Sequence, residues 1–75
     1  MKEEVRVNAR GLSAPGPRLM VDAALEQGRP ALMRVVVSTS VAADDVRRHL
    51  EGHGATVEID TVGKEFHVLA RFPRS

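Results

Sequence analysis

The stretch Val5-Arg6-Val7-Asn8-Ala9-Arg10-Gly11-Leu12-Ser13-Ala14-Pro15-Gly16-Pro17 changes its periodicity partway along, and that change sets the architecture. Val5 and Val7 alternate with Arg6 and Asn8, the period of two expected of a half-buried strand. Gly11 to Ala14 breaks the alternation. Pro15 and Pro17 then suit the first turn of a helix, where a missing N–H costs nothing. Beyond them Pro17, Met20, Val21, Ala24 and Leu25 recur at helical spacing, with Arg18, Asp22 and Glu26 on the other side. Gly28 is a C′ candidate and Pro30 prevents continuation, so the spacing predicts a helix over 15–27.

The remaining elements follow from the same two periods. Leu32 to Val37 (LMRVVV) is a nearly continuous apolar run rich in β-branched residues, the composition of a central strand covered on both faces. Ser38, Thr39 and Ser40 supply an N-cap for a second helix, with Asp44 and Asp45 expected in or near its first turn. Ala43, Val46, Leu50 and His53 form its expected buried stripe, and Gly54 ends it. Thr56 to Asp60 and Phe66 to Phe72 alternate cleanly, joined by a hairpin loop at Thr61-Val62-Gly63-Lys64. The order β-α-β-α-β-β predicts an α/β (α+β) two-layer sandwich, a four-stranded mixed sheet with both helices on one face. Val5, Val7, Val57, Ile59, Phe66, Val68, Ala70 and Phe72 are expected to face the helices. Arg6, Asn8, Thr56, Glu58, Asp60, His67 and Arg71 are expected on the open side.

At 75 residues the chain has room for one domain, taken as 1–75, with a loose tail expected at residues 73–75. It contains no cysteine, so no disulfide supports the core, and the absence is compatible with a reducing cytosol. No stretch approaches the roughly 20 apolar residues of a membrane helix. Met1-Lys2-Glu3-Glu4 lacks the apolar core of a signal peptide. The net charge of +1 gives no global attraction to nucleic acid.

The segment Asn8 to Pro17 resembles the signature of the TusA/SirA/YedF family, which reads roughly Asp-x-Arg-Gly-Leu-x-Cys-Pro-x-Pro. Gly11 to Leu25 matches the family's loop and helix, and Val41 to Val57 is most similar to the YedF-type branch. Family members are cytoplasmic sulfur-relay proteins: a persulfide carrier takes sulfur from a cysteine desulfurase and passes it on, for instance toward tRNA thiolation. The resemblance implies that Ala14 stands at the sulfur-carrying cysteine's position, with Asn8, Arg10, Gly11, Pro15, Pro17 and Arg18 as the supporting loop. A cysteine there would precede a helix whose dipole and first-turn N–H groups favour the thiolate, with Arg10 and Arg18 adding positive potential. Alanine carries no sulfur, so this cysteine-less form is expected to be inactive in sulfur transfer. Asn8 stands where the family has aspartate. Two origins fit Ala14: a substituted cysteine, and a natural relative that has lost the transfer step.

A non-catalytic protein-binding or regulatory module on the same fold is the alternative, and a small RNA-binding domain ranks below it. For RNA, Arg6, Arg10, Arg18, Arg34 and Arg71 offer charge, but aromatics make up 3% of the chain and leave no stacking platform. Leu32, Val36 and Leu69 share the open-face parity, a patch interrupted by Arg34 and Arg71 that would suit a second copy or a partner. His49 and His53 have i,i+4 spacing, but no third ligand is evident nearby, so neither a metal nor another cofactor is expected. His67 is read as a solvated strand residue beside Arg71.

Overall fold

A computed structural model describes residues 4–73; the expected tail at 73–75 lies mostly outside it. β1 (Glu4–Asn8), α1 (Gly16–Leu25), β2 (Leu32–Val37), α2 (Ser40–Gly52), β3 (Thr56–Val62) and β4 (Glu65–Arg71) follow one another in the expected order. The sheet runs β1-β2-β4-β3. β1 and β2 are parallel, while β4 lies antiparallel to both β2 and β3, so the sheet is mixed. Inserting β4 between β2 and β3 makes β2 and β4 the central strands. Met33, Val35, Val37, Val68 and Ala70 accordingly have no accessible surface, the result of packing under the helices and between neighbouring strands.

The helices lie on one face and close a single core. Val7, Val35 and Val68 share a row across the sheet and pack with Val21 of α1 and Ala42, Val46 and Leu50 of α2. Strand parity is as expected, with Val5, Val57 and Phe66 partly buried against that core. Ile59 is 39% exposed despite its inward parity; β3 is an edge strand and is exposed along most of its length.

Several ends differ from the sequence expectation. α1 is shorter than 15–27: Pro15 is the N-cap and the last regular residue is Leu25. Gln27 and Gly28 donate to the carbonyls of Ala24 and Leu25, tightening the chain into i→i−3 turns before it leaves the helix. Met20 is 37% exposed rather than buried, and Leu19 beside it is 62% exposed. α2 is capped by Thr39, whose Oγ1 accepts the Ala42 N–H at 3.1 Å. Asp44 and Asp45 therefore lie beyond the first turn, and His53 is a half-buried C-cap rather than a core residue. The hairpin loop shrinks to Gly63-Lys64, since Val62 pairs with Glu65. Gly63 has φ +61°, as a two-residue turn of this kind requires at its first position.

Candidate functional site

The loop between β1 and α1 is built from its own polar residues outward. Ala9 is fully buried and donates its N–H to the Val36 carbonyl at 2.9 Å, extending the β1–β2 pairing by one residue. Asn8 Oδ1 accepts from both the backbone N–H and the Nη1 of Arg10, each at 3.2 Å. Gly11 has φ +78°, favourable for glycine, and its N–H donates to Ser38 Oγ at 2.9 Å, tying the loop to the β2–α2 turn. Arg10 reaches across to β4, where its Nη2 donates to Glu65 Oε1 at 3.1 Å and its Nε to Glu65 Oε2. That hydrogen bond holds the Glu65 carboxyl below the usual carboxylate range and raises the Arg10 guanidinium. The loop is thus anchored to β1, β4 and the β2–α2 turn before it reaches residue 14.

Ser13, Ala14 and Pro15 are exposed. The Gly16 N–H donates to the Ser13 carbonyl at 2.9 Å, and the Leu19 N–H to the Pro15 carbonyl at 3.1 Å. The Ala14–Pro15 peptide bond is cis, and Pro17 is buried in the first turn. No side chain caps α1, so the positive end of the helix dipole opens beside Ala14. The residue there is a methyl group. The Ser13 hydroxyl, the adjacent candidate nucleophile, makes no side-chain hydrogen bond to a base among the described residues, and such a base is what its activation requires.

Arg18 does not add its charge to this loop. Its Nε lies 3.1 Å from Asp45 Oδ2, which draws the guanidinium over α2. With Arg10 held by Glu65, both expected cations are answered by carboxylates. The loop and the start of α1 also expose apolar side chains. Leu12 is 41% exposed and lies over Gly16, where a Cβ would come within 3.2 Å of the Leu12 Cβ. Leu19 and Met20 follow Gly16 by three and four residues and so share its helix face. Sequence reading assigned Met20 to the core and overlooked Leu12 and Leu19. The available signal was that α1 holds more large apolar residues than one narrow stripe can bury.

On the open sheet face, Arg6, Arg10, Arg34 and His67 line a cavity of about 210 Å³. His67 meets Arg34, its Nδ1 3.0 Å from Nη1, rather than Arg71, and its side chain is 14% exposed rather than solvated. The two residues sit on adjacent strands, and Val36, paired with His67, is only 7% exposed. Glu4 lies 3.8 Å from Arg6 and 3.9 Å from Arg34, so this basic surface is also partly neutralised. Leu32 and Leu69 are half-buried, which leaves little apolar area on that face.

The boundary between the helices carries a second polar cluster. Asp22 of α1 accepts from His49 of α2, with Nε2 2.7 Å from Oδ1, and His53 Nε2 lies 3.7 Å from the same oxygen. The His49 hydrogen bond holds the Asp22 carboxyl below its usual range. Sequence reading saw the histidine pair but placed Asp22 on the solvent side of α1. Among the described residues no helix is long and apolar enough to cross a membrane.

Comparison with known proteins agrees with this geometry. No curated protein matches the chain. A crystal structure of a SirA-like protein from Desulfitobacterium hafniense superposes with a TM-score of 0.80 at 19% identity, covering 93% of this chain and 99% of that one. At that identity the likeness concerns the fold. The family model described as Sulfurtransferase TusA matches residues 5–71, from the first strand to the last, and on that match the chain belongs to the TusA family.

Proposed function

We propose that this chain is a sulfur-relay domain in cysteine-less form, one that docks to sulfur-relay proteins and transfers no sulfur itself. The observation that carries the reading is Ala14, matched to the family's cysteine position by the resemblance of Asn8 to Pro17 to the family signature: it is exposed at the uncapped start of α1, in a loop held by hydrogen bonds to β1, β4 and the β2–α2 turn. The expected partner is a cytoplasmic cysteine desulfurase or a sulfur acceptor such as one serving tRNA thiolation. Exposed Leu12, Leu19 and Met20, on the loop and in the first half of α1, would give that partner an apolar rim to dock on. The same rim favours the second reading, a regulatory module that occupies a partner's docking surface without chemistry. RNA binding is disfavoured, because Arg6, Arg10, Arg18 and Arg34 each lie within 4.0 Å of a carboxylate.

The test restores the missing atom. In Ala14→Cys, the thiolate attacks the terminal sulfur of the desulfurase persulfide. The donor S–S bond breaks, its cysteine leaves as thiolate, and residue 14 keeps the persulfide. With a cysteine desulfurase and free cysteine, Ala14→Cys is expected to gain the mass of one sulfur atom, removable by reductant, while the unsubstituted chain gains none. Failure of the folded variant to load with any competent desulfurase overturns the sulfur-relay reading. Desulfurase binding by the unsubstituted chain, lost in Leu19→Glu, supports docking without transfer.

A further inference from the structure

We propose that Asp22, His49 and His53 form a binding site for a divalent transition-metal ion of the zinc class, spanning α1 and α2. This does not depend on the sulfur-relay reading. Asp22 Oδ1, His49 Nε2 and His53 Nε2 converge from two helices, and one ligand atom from each residue lies within 4.8 Å of the others. The i,i+4 spacing puts both imidazoles on one face of α2. Arg18–Asp45 and Asp22–His49 pair in the same order along both helices, which turns that face toward α1.

Hydrogen bonding alone does not account for the arrangement. His49 and Asp22 satisfy each other at 2.7 Å, but His53 Nε2, at 3.7 Å, is too distant for a hydrogen bond to the same oxygen. A helix C-terminus favours a cationic imidazole at His53, yet it does not explain why both Nε2 atoms aim at one carboxylate oxygen. The two rings stand edge to face, 79° apart with centroids at 5.0 Å. Tetrahedral zinc, with bonds of about 2.0–2.2 Å, needs ligand atoms about 3.4 Å apart. The two separations from Asp22 Oδ1, 2.7 and 3.7 Å, straddle that value, and all three ligand atoms lie within 4.8 Å of one another.

The donor set selects the ion. Two imidazole nitrogens and one carboxylate suit Zn²⁺, Ni²⁺ or Cu²⁺, whereas Mg²⁺ and Ca²⁺ want oxygen ligands. The side chains of His49, His53 and Asp22 are 23%, 36% and 46% exposed, which lets an ion enter from solvent and keeps the fourth position for water. Bound there, the ion would link α1, which carries the Ala14 loop at its start, to α2.

Calorimetric titration of the metal-free chain with ZnCl₂ near neutral pH tests the site. The expected result is one saturable Zn²⁺ per chain, no binding of Mg²⁺, and unchanged binding in His67→Gln, whose histidine lies on the opposite face of the sheet. Losing even an outer-shell partner of a metal ligand costs about 10- to 100-fold in affinity, so His53→Ala is expected to weaken binding at least about tenfold. The double variant His49→Ala/His53→Ala is expected to abolish it. As a readout that does not depend on the variants folding, the imidazole resonances of the unsubstituted chain are followed by NMR in the same titration. Zn²⁺ should shift those of His49 and His53 and spare His67. No saturable binding, binding that survives in a folded double variant, or shifts centred on His67 would overturn the site.

Discussion

Ala14 is a methyl group at the exposed, uncapped start of a helix, and the side chains around it illustrate how much one atom decides. Asn8 Oδ1 receives both Arg10 donors, so an uncharged amide holds this part of the loop. Ser38, Thr39 and Ser40 were indistinguishable as N-cap candidates, because all three carry a hydroxyl before the same apolar stripe. The structure separates them by partner. Ser38 receives the Gly11 N–H at 2.9 Å, and Thr39 receives the Ala42 N–H at 3.1 Å. Thr39→Ala is therefore expected to destabilise the chain by about 1 kcal/mol, while Thr39→Ser, which keeps the acceptor, costs less. Urea denaturation of both variants checks this, and equal losses would assign the effect to the methyl group instead of the hydroxyl.

Between elements, the contacts that hold the loop and pair the helices join residues far apart in sequence. Arg10 and Glu65 are 55 positions apart, and their contact fastens the β1–α1 loop to β4. Glu65 also faces His67, 3.8 Å away, on its own strand. Its folded-state pKa lies below that of the unfolded chain, chiefly through the Arg10 hydrogen bond. The unfolded state therefore binds more protons in that interval. The stabilisation is complete above the unfolded pKa and is lost as pH falls through the folded one. The stability difference between the parent and Glu65→Gln is expected to be constant from neutral pH down to the unfolded carboxylate pKa and to shrink as the pH falls below it through the depressed folded one. Urea midpoints across that range measure it, and a constant difference throughout would mean the Arg10 contact is not formed in solution. None of this was legible beforehand, because a surface arginine and a surface glutamate carry no periodic signal that pairs them. The helix spans and the hairpin were legible to within a few residues, since apolar spacing and a glycine in the turn are local.

For the whole molecule, the core is small and shared by both helices and all four strands, so a single buried side chain matters. Leu50 is fully buried, in the cluster that joins α2 to the sheet. Leu50→Ala is expected to cost about 2–5 kcal/mol, a large part of the roughly 4–11 kcal/mol expected for 75 residues. Val41→Ala, at a position 75% exposed on the same helix, should change stability by less than about 0.5 kcal/mol. Chemical denaturation of the two variants distinguishes core packing from helix propensity as the main stabilising term. Periodicity in the chain was enough to establish the element order, the parity of each strand, the two-layer architecture and the position of Ala14 in the loop. These depend on spacings of two to four residues, and a single sequence displays them directly. The strand order that seats β4 between β2 and β3 was decided by tertiary structure. So were the carboxylates that answer Arg10 and Arg18, the apolar rim of Leu12, Leu19 and Met20, and the approach of Asp22 to the two histidines. The physical reason is that a polar side chain's partner is chosen by which elements pack together, and long-range packing leaves no local trace in the sequence.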